Sequence, residues 1–201
     1  CGATVVGLHA HVGSGILTPE NWEEVGRELV SVAEDFPDLR YLDLGGGLGV
    51  PEKVGQTPLD MAAVDAGIAE IRAARPGLEV WLEPGRYLVA EAGVLVATVT
   101  QTKGKGQVQY VGVGTGMNSL IRPALYGAYH EIANLSRWGE PATQIVTIVG
   151  PICESGDRLG TDRLLPQCEE GDVLAIATAG AYGFVMSSRY NLREPAVEIA
   201  I

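Results

Sequence analysis

The sequence predicts an α/β fold that gives way to β structure: residues 1–90 form part of an α/β barrel and residues 91–201 form a mostly-β domain. Strand and helix signals alternate through the first part at roughly 35 to 40 residues, the size of a βα unit. Beyond it, apolar strands follow one another, separated by loops rich in glycine and proline. Three strands of the first part also end in unusual loops, and in parallel α/β folds the loops after strand C-termini open on one face.

Thr4 to His9 reads as a short apolar strand. Thr18-Pro19 then supplies an N-cap and a first-turn proline for an amphipathic helix with Trp22, Val25, Leu29, Val32 and Phe36 at helical spacing. Tyr41 to Leu44 is the next strand, Thr57-Pro58 starts a second helix with Asp60 as its capping acid, and Leu78 to Glu83 is the third strand. In the second part, Val94 to Thr102 and Gln107 to Val113 flank Lys103-Gly104-Lys105-Gly106, which reads as a hairpin turn. One helix is predicted over Pro123 to Ile132, and Gln144 to Val149, Val173 to Thr178 and Val197 to Ile201 are further strands.

Composition narrows the function. A net charge of -11, spread without acidic blocks, argues against nucleic-acid or anionic-membrane surfaces and leaves small molecules or protein as partners. No apolar run approaches the roughly 20 residues of a membrane span. The three cysteines, Cys1, Cys153 and Cys168, lack metal-ligand spacing. Their odd number, with no signal-like leader, points to reduced thiols in the cytoplasm. No metal site is expected: His9 and His11 share one strand face with no cysteine nearby.

The strand ends carry the chemistry. They read His9-Ala10-His11-Val12-Gly13-Ser14-Gly15, Gly45-Gly46-Gly47-Leu48-Gly49 and Glu83-Pro84-Gly85-Arg86. A triple glycine leaves backbone N–H groups able to turn toward an anion, although glycines also make plain tight turns. Ser14 could donate its hydroxyl to the same phosphate or serve as a turn residue. His11 could stack on an aromatic ligand or pack in the core, and His130 reads as structural or peripheral. Glu83 could cap a strand end in an ion pair with Arg86. It could instead sit beside a pyridine nitrogen and keep it protonated, which is what makes pyridoxal phosphate an electron sink. Phosphate nest, stacking ring and nitrogen partner together describe that cofactor's needs.

The β part adds Gly150-Pro151-Ile152-Cys153-Glu154-Ser155-Gly156-Asp157, a loop with a thiol and carboxylates, and Ala179-Gly180-Ala181-Tyr182-Gly183, which presents a tyrosine from a turn. Arg122 and Tyr126 are four apart and could share a helical face suited to a substrate carboxylate.

Together these motifs resemble the fold-type III, alanine-racemase-like decarboxylases that use pyridoxal phosphate, over essentially the whole chain from His9 to the region of Tyr190. Its most specific parts are Glu83-Pro84-Gly85-Arg86, Arg122-Pro123-Ala124-Leu125-Tyr126 and Cys153-Glu154-Ser155-Gly156-Asp157. The resemblance implies the C-terminal part of a (β/α)8 barrel followed by a Greek-key barrel-like domain. It implies that His11 stacks on the cofactor ring, that Glu83 contacts the pyridine nitrogen, and that Ser14, Gly45, Gly46, Gly47, Gly85 and Arg86 surround the phosphate. It makes Cys153 the acid that protonates the product carbon, and assigns Arg86, Arg122, Tyr126 and Glu154 to the substrate and Tyr182 to cofactor or substrate. It further implies a homodimer in which the Cys153 loop reaches the partner's site.

Cys153-Glu154-Ser155 is most similar to the diaminopimelate-decarboxylating group, in which that glutamate faces the distal amino group; the ornithine- or arginine-type enzymes are the alternative. One departure stands out. The only lysines are Lys53, Lys103 and Lys105, and none lies in a motif matching the cofactor-anchoring lysine. The chain therefore reads as the C-terminal half of an enzyme, inactive alone, or else as a non-catalytic binding or assembly fragment.

Overall fold

The computed structural model describes residues 2–105 and 108–201. Cys1, and the Gly106 and Gln107 ends of the expected turn and strand, lie outside the described residues. The chain forms two compact units: one comprises the residues up to Pro51 with Gly55–Leu88, the other Glu52–Val54 with Val89–Ile201.

Unit 1 runs β1 (Gly7–His9), α1 (Glu20–Val32), β2 (Tyr41–Asp43), α2 (Met61–Ala74), β3 (Glu79–Trp81) and the start of α3 (Gly85–Val89). The three strands form a parallel sheet in the order β1-β2-β3, with Leu8 beside Leu42 and Leu42 beside Val80. Trp22, Gly26 and Leu29 put one face of α1 into the core with Leu42, Leu44, Val64 and Ile71. The two helices meet at Gly26, where a Cβ would strike the Ile71 side chain. Asp60 caps α2, its Oδ1 accepting from the N–H groups of Ala62 and Ala63 at 3.0 and 3.1 Å.

Unit 2 contains β4 (Leu95–Lys105), β5 (Val108–Val113), α4 (Arg122–Tyr126), β6 (Ile132–Asn134), β7 (Gln144–Val149), β8 (Arg158–Leu165) and β9 (Val173–Ile176). They form one mixed sheet in the order β6-β9-β4-β5-β7-β8. Only β5 and β7 pair in parallel; the remaining neighbours are antiparallel. The sheet curls until β8 meets β6: a Cβ on Gly160 would come within 2.8 Å of Ile132. Alternating inward residues of β4, including Leu95, Ala97 and Val99, pack with Val111, Ile148, Leu174 and Ile176 in the core.

Several sequence expectations need correction. Thr18 does not cap α1: Pro19 occupies that position with no side-chain bond, and the helix stops at Val32, which is 47% exposed, before a 3-10 turn at Ala33–Asp35. Thr57-Pro58 lies ahead of α2, which starts only after the Asp60 cap. Lys103, Gly104 and Lys105 are not a turn; they continue β4 opposite Tyr110, Gln109 and Val108. The helix expected over Pro123 to Ile132 closes after Tyr126 because Gly127 turns left-handed at φ 64°, and Ile132 opens β6 instead. Val197 to Ile201 forms no strand: among the described residues none pairs with it, and Val197, Ile199 and Ile201 are exposed. The short β6, the helix α3 and the β8 strand had no counterpart in the sequence expectation.

Candidate functional site

In unit 1 the sheet ladder continues past the strand ends. The N–H of Ala10 donates to Asp43 O at 3.0 Å, that of Leu44 to Trp81 O at 3.0 Å, and that of Glu83 to Gly45 O at 2.9 Å. These bonds carry the glycine loop between the first and third loops. A Cβ on Gly45 would press on Ala10 O and His11, one on Gly46 would strike Glu83 O, and one on Gly47 would strike Gly13 O. Gly45 and Gly47 also have φ of 68° and 92°, where an L side chain is strained. The three glycines thus bring the histidine loop, the Glu83 turn and β2 to one place.

The same contacts fix two side chains. The Gly46 N–H donates to His11 Nδ1 at 3.1 Å. A backbone N–H only donates, so that nitrogen is unprotonated and the neutral ring carries its hydrogen on Nε2. The Gly45 N–H donates to Asp43 Oδ1 at 2.9 Å. Two of the three N–H groups expected to form a phosphate nest are therefore engaged inside the protein. Nearby, Arg86 donates from Nε and Nη2 to Ser14 Oγ at 3.1 and 3.0 Å. A hydroxyl has two acceptor sites and one hydrogen. With both acceptor sites facing Arg86, the Ser14 hydrogen is directed outward beside a guanidinium.

Glu83 is exposed, and its Oε2 lies 3.3 Å from His9 Nε2. His9, Asp43 and Glu83 each place a ligand-type atom within 4.8 Å of the others. His9 Nε2 is engaged by Glu83, and Asp43 Oδ1 accepts the Gly45 N–H. His9 was weighed only as the strand-face neighbour of His11, and Asp43 was not singled out, although the acid just before the glycines was visible. His9 and His11 do not share a strand face, because β1 ends at His9.

These residues fit pyridoxal phosphate. The donor set consists of an exposed carboxylate for a ring nitrogen, an imidazole of fixed tautomer, and a hydroxyl with a guanidinium for a phosphate. A Cβ at Gly85, beside that pair, would meet nothing within 4 Å, so the backbone there is open.

In unit 2, Asp157 organises the loop that carries Cys153 and Glu154. It is 3% exposed; its Oδ1 accepts the Met117 N–H at 2.6 Å and its Oδ2 the Ile152 N–H at 2.7 Å. Gly116 and Gly150 leave no room for a Cβ against that carboxylate. Cys153 and Glu154 stand exposed on the loop so held, and Tyr190 OH donates to Glu154 Oε2 at 3.4 Å. Asp157 sat in plain view in the motif, but nothing in the sequence marked it as the one that turns inward.

Arg122 and Tyr126 do not share a face as expected. Arg122 is 5% exposed, donating from Nη2 to Glu52 Oε1 at 2.9 Å and from Nη1 to His130 Nε2 at 3.0 Å, whereas Tyr126 is 64% exposed. A guanidinium nitrogen only donates, so His130 Nε2 accepts and its Nδ1 donates to Ala177 O at 2.8 Å. Burial, reinforced by the Arg122 charge, pulls the His130 pKa below its ordinary value against the Ala177 bond. Tyr182 is 41% exposed at φ 59°, a left-handed conformation in its turn.

Residues 2–90 match the family described as pyridoxal-dependent decarboxylase, pyridoxal binding domain, and residues 52–180 match the C-terminal sheet domain of pyridoxal-dependent decarboxylases. The chain is 41% identical over 210 residues to the diaminopimelate decarboxylase of Archaeoglobus fulgidus, covering 100% of this chain and 49% of that protein. A crystal structure from Aquifex aeolicus superposes with TM-score 0.88 at 38% identity, covering 96% of this chain and 48% of that one. The diaminopimelate decarboxylase of Helicobacter pylori complexed with L-lysine gives TM-score 0.85 at 35% identity, over 94% of this chain and 47% of that one. The chain thus spans about half the length of the curated relatives it matches.

Proposed function

From the premise that this chain belongs to the pyridoxal-dependent decarboxylases, we propose that it carries the cofactor-facing and substrate-facing residues of an enzyme that converts meso-diaminopimelate to L-lysine and carbon dioxide in lysine biosynthesis. The observation that carries the reading is the glycine loop that brings Glu83 together with the histidine loop, joined by the Arg86 bonds to Ser14. The three-stranded sheet is then a segment of a (β/α)8 barrel, and residues 91–201 are its Greek-key barrel-like companion.

When bound, pyridoxal phosphate supplies an electron sink for the pair left behind by the departing carboxylate. Glu83 holds a proton on the ring nitrogen through its carboxylate, and His11 presents its ring face to the cofactor while Gly46 fixes its orientation. Ser14 donates its hydroxyl to the phosphate, Arg86 adds charge there and toward the substrate, and Gly45, Gly46, Gly47 and Gly85 allow close approach. The Cys153 thiol delivers a proton to the substrate α-carbon, and Glu154 accepts from the distal ammonium. Tyr126 and Tyr182 border the substrate. Arg122 has N–H donors beyond those engaged by Glu52 and His130, and these are what it offers a substrate carboxylate. The assembly is a cytoplasmic homodimer in which the Cys153 loop serves the partner's site; no helix of the described residues is long and apolar enough to cross a membrane.

The Glu154 assignment decides between diaminopimelate and the ornithine or arginine type. In a full-length version of the protein, Glu154→Ala lowers kcat/KM on diaminopimelate by about a hundredfold, as expected when a charge-assisted bond to an ammonium is lost in a desolvated site. An unchanged rate on diaminopimelate, or a faster rate of the parent enzyme on ornithine, overturns the substrate.

A further inference from the structure

Unit 2 contains a polar cavity of about 440 Å³ that neither the cofactor nor the substrate reading uses. Lys53, Arg158 and Arg163 border it together with the hydroxyl residues Ser155 and Thr161, and no acid is among its lining residues. That segregation is notable in a chain with 25 acidic and 14 basic residues. Arg163 is the deepest of the three cations. It is 8% exposed, its Nε is buried without a hydrogen-bond partner, and its guanidinium carbon lies 3.5 Å over the Tyr129 ring.

The neighbouring acid does not discharge it. Glu131 Oε2 accepts from Tyr129 OH at 2.8 Å, and among the described residues no carboxylate forms an ion pair with Arg163. Burial pulls the Arg163 guanidinium below the ordinary arginine value, outweighing the opposing influence of Tyr129 and Glu131 beside it. A buried cation is retained only where something compensates it.

We propose that this cavity is a binding site for a polyvalent oxyanion of the phosphate class. Three cations and two hydroxyls suit a tetrahedral, doubly charged group better than a single carboxylate, and arginine's planar fork matches phosphate oxygens. The volume leaves room for an organic substituent on that group. Ser155 and Gly156 belong to the Cys153 loop, so an occupant would brace that loop from its far side. The inference does not depend on the decarboxylase reading.

Titration calorimetry of the full chain with inorganic phosphate, against chloride at matched ionic strength, tests it. A saturable site is expected that is weakened about tenfold by Arg163→Gln and several-fold by Arg158→Ala, the scale of losing a charge-assisted bond. Arg86→Ala, which alters the proposed cofactor phosphate contacts of unit 1, should leave that site intact. Absence of saturable binding, retention of it in both Arg163→Gln and Arg158→Ala, or its loss in Arg86→Ala alone overturns the proposal. If Arg163→Gln fails to fold by circular dichroism, the exposed Arg158 variant decides the matter. A parent chain that ignores phosphate while Arg163→Gln shifts the dimer equilibrium in sedimentation would make the occupant a carboxylate of a second copy, and the phosphate assignment would fall.

Discussion

At the scale of single residues, the buried carboxylate of Asp157 holds the loop that carries the exposed Cys153 and Glu154. Its two oxygens accept two backbone N–H groups from different segments, at 2.6 and 2.7 Å. Asp157→Asn keeps the shape but sets an amide N–H₂ against one of those donors. We expect it to lower unfolding free energy by about 2 kcal/mol, the cost of an unsatisfied buried donor, measurable as a shift in the denaturant midpoint. A midpoint equal to that of the parent would deny the clamp. The two described thiols should also separate cleanly. Cys168 is 5% exposed and burial pushes its pKa up, only partly opposed by the Asn134 amide, while Cys153 is exposed. Since the thiolate is the nucleophile, iodoacetamide in native buffer labels Cys153 and leaves Cys168 unmodified until denaturant is added. Peptide mapping that finds Cys168 labelled at the same rate would contradict the burial.

Among the elements, those written in local chemistry were the legible ones. Asp60 announced the α2 cap, the apolar spacing from Trp22 announced α1, and Gln144 to Val149 emerged as β7 with the bounds read from the sequence. What failed depended on which strand a segment pairs with, which its own residues do not show. Lys103-Gly104-Lys105 reads as a turn until β5 pairs with it, and Val197 to Ile201 reads as a strand although no strand among the described residues pairs with it. The segment after α4 hides a different device. His130, read as structural or peripheral, is the structural case: it is fully buried and links the Arg122 of α4 to Ala177 beyond β9 in its neutral form. Its folded pKa lies below the unfolded value of about 6.5, so the unfolded chain takes up a proton first. The stability it confers is complete above that value and is lost as pH falls below it. Between pH 7 and 5 the unfolding free energy should decline, and His130→Gln should flatten that slope. Asp172 acts in a separate window: burial raises its pKa, but bonds from Asn134, the Glu169 N–H and Arg137 outweigh this and hold it below 3.8, so its contribution fades only in stronger acid. A slope between pH 7 and 5 that survives His130→Gln would assign the effect to another group.

For the molecule as a whole, the family was readable because its motifs are short and lie at strand ends, whereas the partner each donor takes was not. The glycine loop drew attention as an anion nest, yet two of its N–H groups serve Asp43 and His11, and the serine bonded to Arg86 provides the outward hydrogen. The lysines lead to a further consequence. Unit 1, which holds Glu83, His11 and Ser14, contains no lysine; Lys53 belongs to unit 2 and lies 5.4 Å over the Tyr129 ring, and Lys103 and Lys105 are exposed on β4. A lysine amine is what ties this cofactor covalently to its enzymes. Pyridoxal 5′-phosphate added to this chain should therefore bind reversibly, by ring and phosphate contacts alone, and dialysis should remove it. Borohydride treatment before dialysis should leave well under one equivalent of reduced pyridoxyl group, scattered over the exposed lysines by mass spectrometry. Glu83→Ala should weaken the reversible binding several-fold, the scale of one hydrogen bond to a charged group. One full equivalent fixed on a single lysine would show that the chain supplies its own anchor, and would overturn the division of labour between the residues of unit 1 and a lysine from outside it.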